Sequence, residues 1–148
     1  MSFKSISQIA GSAMNAQSVR LNTIASNLAN ASTAASSEAE VYRARKPVFA
    51  AVYERAAFAD GTLPGARVQV LDVVQSTEPV RQVYEPDNPL ADENGIVFYP
   101  NVNPVAEMTD MMSAARAFET NVEVLQRVKT MQQALLKLIE GTMASVPP

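Results

Sequence analysis

The longest uninterrupted pattern in the chain runs from Asn103 to Gly141 and leaves few folds open. Apolar residues recur there at Met108, Met111, Ala115, Phe118, Val122, Leu125, Val128, Met131, Leu135 and Leu138. Steps of three and four place them along one side of an α-helix, and no strand can use that period. Both ends carry helix signals: Asn103 suits the N-cap, Pro104 sits where its missing N–H costs nothing, and Gly141 is placed to close the helix. Glu107 and Asp110 near the start, with Arg127, Lys129 and Lys137 farther on, complement the macrodipole. One helix of roughly 55 Å is expected at 1.5 Å per residue. It is too long to fold back inside a small globule, so its stripe must be covered by something else.

A second stripe lies at the other end of the chain. From Ser5 to Asn30 the apolar set Ile6, Ile9, Ala10, Ala13, Met14, Leu21, Ile24 and Leu28 again has helical spacing, and Ser5-Ile6-Ser7-Gln8 has the form of a capping box. The Ala- and Ser-rich seam permits close helix packing. The expected fold is mainly α with a small β-rich insertion, its long N- and C-terminal helices packing as a coiled-coil-like pair, antiparallel or side by side. Residues 1–33 are expected to form the N-terminal helix, 34–100 a linker and small β-rich middle, 101–141 the C-terminal helix and 142–148 a tail.

Between the helices the signals change. Ser26 to Thr33 favours a helix end because its short polar side chains compete for the backbone, and Ala34 to Glu40 reads as a mobile linker. Val41 to Arg55 is extended, since Pro47 interrupts any helix. Asp60-Gly61 and Pro64-Gly65 are turn signals. Arg67 to Gln75 and Val80 to Tyr84 read as strands, and Ile96 to Tyr99 pairs with the residues before it through Asn94-Gly95, a dipeptide suited to a tight hairpin. Roughly five short pieces result, too few to bury much surface unaided.

The 148 residues suit one folding unit, and with aromatics at 6% and no Trp no large aromatic core is expected. The net charge of −3 argues against nucleic acid, whose non-specific binding needs clustered Lys and Arg. The absence of Cys and His removes the usual zinc, copper and haem ligands, the thiol nucleophile and the imidazole base. It also suits an oxidising compartment. No segment approaches the ~18 apolar residues of a membrane span, and Met1 to Gln17 lacks the continuous apolar region of a cleavable signal. The chain is expected either to stay in the cytoplasm or to leave by a route that reads no such signal.

Few residues invite a chemical role. Glu119 and Glu123 stand one helical turn apart, but Arg116 and Arg127 flank them as on a solvated face. Glu38 and Glu40 form another close carboxylate pair, and Asp87, Asp92 and Glu93 lie in a turn-rich loop without EF-hand spacing. Arg43, Arg45 and Lys46 beside Tyr42 are too few for a nucleic-acid surface and suit a surface or intersubunit contact. Met108, Met111, Met112 and Met131 read as core filler. No catalytic, cofactor or metal site is expected, and no small-molecule substrate. Asn27 and Asn30 stand apart, because Asn in an Ala-rich stripe needs hydrogen-bond partners when buried. They either cap the first helix or act as a polar register key between packed helices.

Ser12 to Ala31, with Asn22-Thr23-Ile24-Ala25-Ser26-Asn27-Leu28-Ala29-Asn30 at its centre, resembles the N-terminal signature of flagellar rod and hook proteins. Asn101 to Asn121, opening Asn101-Val102-Asn103-Pro104-Val105, resembles their C-terminal one. The short middle, with Glu40-Val41-Tyr42-Arg43-Ala44-Arg45 and Pro47-Val48-Phe49, is most similar to the proximal rod members. The resemblance implies a structural subunit of the basal-body rod, exported by the flagellar type III apparatus and assembled in the periplasm with copies of itself and other rod proteins. There the terminal helices would pack around an export channel and carry torque. It assigns Met14, Leu21, Ile24, Asn27, Leu28 and Asn30 on one helix, and Met108, Met111, Ala115, Phe118, Asn121, Val122 and Leu125 on the other, to contacts between subunits. A cytoplasmic coiled-coil adaptor or secretion chaperone is the alternative, and would form a stable helical dimer without polymerising.

Overall fold

The computed structural model describes residues 2–53 and 65–147. Helix α1 spans Phe3–Ala29 and helix α2 spans Pro104–Ala144, and the described residues between them hold four strands: β1 Arg45–Tyr53, β2 Ala66–Gln75, β3 Arg81–Tyr84 and β4 Ile96–Tyr99. The strands form two separate antiparallel pairs, β1 with β2 and β3 with β4. The mainly α architecture with a β-rich middle is thus as the periodicities predict.

The helix pair is antiparallel. Arg20 on α1 and Asp110 on α2 form a 2.6 Å ion pair. The end of α1 and the approach to α2 meet the same stretch of chain, Asn27 bonding Arg45 and Asn101 bonding Ala44. Small residues make the close approach possible, with Ala10 and Ala16 buried on α1 and Ala114 on α2. The β1–β2 pair lies along α1, where the Ser12 hydroxyl accepts a hydrogen bond from the Val68 N–H at 3.0 Å. Val41 and Ala44 ahead of β1, Val80 ahead of β3 and Val97 on β4 are buried as well. Among the described residues the largest side chains below 2% exposure are Val97 and Asn27, neither of them aromatic.

Several local expectations need correction. The first helix is capped by Ser2, whose hydroxyl accepts from the Ser5 N–H at 3.2 Å, and not by the Ser5 box. Ser2 takes the extended backbone a cap requires, and Phe3, Lys4 and Ser5 then lengthen the helix by nearly a turn. Asn103 does cap α2, accepting from the N–H groups of Val105 and Ala106. Gly141 does not end it: the helix runs through to Ala144, with the Thr142 hydroxyl bonded to the Leu138 carbonyl. A glycine stops a helix by turning left-handed, and nothing here folds back to require that. Asn94-Gly95 is not a two-residue hairpin. Strand β4 pairs with β3 across residues 85–95, and Gly95 at φ 75° accepts from the Glu85 N–H while the Asp92 carboxylate gathers the N–H groups of Asn94 and Ile96. A Cβ on Gly95 would lie 2.8 Å from the Tyr84 ring. The expected linker 34–40 is anchored, since Ala35 exchanges backbone hydrogen bonds of 2.9 and 3.0 Å with Phe98. Asp60-Gly61 and Pro64 fall outside the described residues.

Candidate assembly surface

The two helices differ in length, and the difference creates the principal unpartnered surface. At 1.5 Å per residue, α1 is about 40 Å long and α2 about 60 Å. Counted outward from the Arg20–Asp110 pair, α1 is used up at about the level of Val128, the last buried residue of α2. Every position from Lys129 to Pro147 is exposed.

The apolar pattern ignores that boundary. Ala114, Asn121, Val128 and Leu135 recur every seven residues, as do Ala117, Val124, Met131 and Leu138, so one heptad seam runs from the covered half into the bare half. Its composition changes at the crossing. Ala, Asn and Val face α1, whereas Met131, Leu135, Leu138 and the adjacent Leu136, Ile139 and Met143 stand uncovered, Leu138 at 67% and Met143 at 72% exposure. Small residues suit a close helix pair within the chain. Large ones suit a partner still to arrive. A second uncovered set, Val105, Met108 and Met112, lies at the opposite end of α2.

Against this surface the residues expected at subunit contacts separate into groups. Met108 is exposed, while Met14, Leu21, Leu28, Asn30, Met111, Ala115, Phe118, Asn121, Val122 and Leu125 are half-buried within the chain. Ile24 and Asn27 are buried. Asn27, at 1% exposure, spends its side chain inside the chain: its Oδ1 accepts from the Tyr42 hydroxyl at 2.8 Å and the Arg45 N–H at 3.0 Å, and its Nδ2 donates to the Arg45 carbonyl at 2.9 Å. Asn30 closes the end of α1, donating from Nδ2 and from its backbone to the Ser26 carbonyl. Asn121 bonds back to the Ala117 carbonyl on its own helix. The bare residues beyond Val128 are absent from the expected set. The difference between two helix spans of unequal length, legible in the sequence, was the signal for them.

Among the described residues the candidate acidic side chains lie apart from one another or pair with nearby groups. Glu119 and Glu123 lie exposed along α2, Glu38 pairs with Arg43 at 3.1 Å, and Glu40 accepts from the Ser36 hydroxyl. Arg45 lies over the Tyr42 ring at 5.5 Å from its centroid. Among the described residues no group of three or more acidic side chains could hold a metal ion, and no helix is long and apolar enough to cross a membrane. One hydroxyl is perturbed. Tyr99 donates to the Glu85 carboxylate, which holds the proton on above the ordinary 10.0; desolvation and the charge of Glu85 act in the same direction and Arg81 opposes them.

The residues that build α1 and α2 are those that known proteins share. Residues 8–34 match a family model described as flagella basal body rod protein, and residues 93–138 match the C-terminal model of the flagellar basal body rod FlgEFG proteins. The flagellar basal-body rod protein FlgC of Escherichia coli O6:H1 is 47% identical over 93% of this chain and 98% of its own length. The chain belongs to the FlgC family of flagellar basal-body rod proteins. FlgC of Salmonella typhimurium is 46% identical over the same shares, and FlgC of Borreliella burgdorferi is 32% identical over 94% of this chain and 98% of its own. Coverage of nearly whole lengths means that the FlgC likeness includes the β pairs as well as the helices.

Proposed function

We propose that this chain is a structural subunit of the bacterial flagellar basal-body rod and assembles with copies of itself and other rod proteins through its helices. The observation that carries the reading is the bare end of α2, about 20 Å of apolar helix whose seam continues one already buried within the chain. A helix face of that kind is stable in water only when another helix covers it. The relatives named as rod proteins supply the kind of neighbour. The two uncovered sets lie at opposite ends of α2, so contacts through them join unlike surfaces and extend an assembly instead of closing a dimer. Many such contacts, with no reactive centre, suit a tubular shaft that bears torque around an export channel in the periplasm. A chain with bare apolar helix ends is also suited to ordering part of itself only when neighbours arrive, as export through a narrow type III apparatus would require. The cytoplasmic adaptor has no support among these relatives.

The experiment is complementation of a deletion by the wild type and by a Leu138→Asp, Ile139→Asp double variant. Swimming, export and purified basal bodies are the readouts. The wild type restores rods and motility, and the variant is exported and folded but builds no rod. Normal rods with the variant would overturn the role of the α2 end; normal rods without the protein would overturn the function itself.

A further inference from the structure

Asn94-Gly95 is the one Asn-Gly step in the sequence, and the loop between β3 and β4 depends on its glycine. Gly95 lies at φ 75°, and a Cβ there would meet the Tyr84 ring at 2.8 Å and the Pro86 Cβ at 3.2 Å. Any other residue at 95 is strained. The same glycine exposes the chain to a reaction. With no side chain in the way, the Gly95 nitrogen is the least obstructed backbone nucleophile for a preceding carboxamide, and Asn94 is exposed. The other asparagines precede Ala, Thr, Leu, Val or Pro, whose side chain or ring hinders or forbids the same approach.

In the folded loop that nitrogen is occupied. The Gly95 N–H donates to the Asp92 carbonyl at 2.9 Å, and the Gly95 carbonyl accepts from the Glu85 N–H at 2.8 Å. The Asp92 carboxylate accepts from the N–H groups of Asn94 at 2.9 Å and Ile96 at 2.8 Å, while the Asp92 N–H donates to the Ile96 carbonyl at 2.9 Å. The peptide units on both sides of Gly95 are therefore held, and turning the Gly95 nitrogen toward the Asn94 side chain requires the loop to open.

We infer that Asn94 is a covalent modification site of the unfolded chain, and that the turn built on Asp92 suppresses the reaction in the folded subunit. The Gly95 nitrogen, losing its proton to water, bonds to the Asn94 Cγ; the carboxamide nitrogen leaves as ammonia and a succinimide ring remains. Water then opens the ring at either carbonyl, giving aspartate or isoaspartate, and no other reactant is needed. Isoaspartate routes the main chain through the side-chain carbon and lengthens it between Asp92 and Ile96. One carboxylate then no longer gathers the N–H groups of 94 and 96, and β4 loses its register with β3. Aspartate instead adds a negative charge beside Asp92 and Glu93. The β3–β4 pair packs against neither helix, so a modified chain loses this loop while α1 and α2 keep their contacts.

The test compares the wild-type chain in purified basal bodies with the same chain in urea, incubated side by side at mildly alkaline pH. Peptide mass spectrometry and an isoaspartate-specific methylation assay read conversion at each asparagine. In urea Asn94 is expected to convert faster than every other asparagine, and Gly95→Ala to slow it to the level of Asn15, which precedes an alanine. In basal bodies conversion at Asn94 is expected to be about tenfold slower or more, since attack waits on local opening. This arm rests on the rod function proposed above; the urea arm does not. Asp92 acts as a positioning residue: Asp92→Ala should return the basal-body rate toward the urea rate, whereas Asp92→Asn, which keeps an oxygen acceptor, should leave it slow. The wild-type comparison decides the shielding even where Asp92→Ala does not enter rods. Equal rates in basal bodies and urea would refute the shielding, a slow Asp92→Ala would refute the part given to its carboxylate, and conversion in urea no faster than at Asn15 would refute the site.

Discussion

The two halves of α2 carry the same heptad seam and differ in everything that follows from it. In the covered half the seam positions Ala114, Ala117, Asn121, Val124 and Val128 are small and exposure falls to 0% at Ala114; from Lys129 onward the seam is Met131, Leu135 and Leu138, and every described position is exposed. Periodicity therefore states that a face is to be buried and leaves open what buries it. Side-chain size along the seam supplies part of that answer. Alanine is useful only where a neighbouring backbone comes close, whereas leucine and methionine fill space between helices held farther apart.

The largest effect should come from placing a charge in each half. Ala114→Asp buries a carboxylate with no partner and is expected to cost about 3–5 kcal/mol in urea unfolding of the isolated chain. Leu138→Asp is expected to stay within about 0.5 kcal/mol while abolishing assembly. The reverse result would break the comparison. Capping separates the halves more gently: Asn103→Ala should cost about 1 kcal/mol, and Ser145→Ala, beyond the bare end, should leave unfolding unchanged. Gly141 gives an effect of opposite sign. A Cβ there meets nothing within 4 Å, so Gly141→Ala should raise the helix signal of the free chain by circular dichroism, with an intrinsic gain of about 0.8–1 kcal/mol for that turn. No gain would mean that the last turns of α2 are not helical in the free chain. The smallest effect lies outside both halves. The folded-state pKa of Tyr99 is raised above its ordinary 10.0, so the stability it contributes is full below that value and is lost as the pH rises through the raised one. An ultraviolet titration should find Tyr99 ionising above 10.0, and Glu85→Gln should bring it back down, with both halves of α2 unaffected.

Much of this was legible in the residues, and the reasons differ by element. Helix α2 announced itself because three- and four-residue steps persist over many turns and Asn103-Pro104 is a strong start. The β pairs were placed by their Val-rich runs, but their pairing was not. That Ile96 to Tyr99 joins Arg81 to Tyr84 depends on how Asp92 folds residues 85–95, a tertiary matter that Asn94-Gly95 alone cannot state. Asn27 needs hydrogen-bond partners, as a buried Asn in an Ala-rich stripe must, but it serves neither as the cap of α1 nor as a key between the two helices. Its partners proved to be Tyr42 and Arg45, brought back by a chain reversal that no local pattern encodes. The bare end of α2 follows only from the unequal lengths of the two helices, because each stripe by itself states that a face is to be covered and not where its partner ends.

The anchoring of Ala44 and Arg45 to both helix ends also means that the polypeptide leaves one spot at residue 46 and comes back to it by residue 101. Of what lies on that excursion, β1 and β2 pack back against α1, whereas β3 and β4 pack against neither helix. Related chains could lengthen, shorten or replace the β3–β4 part over evolutionary time without shifting the register of α1 against α2, so that this decoration and the integrity of the helix pair can vary separately.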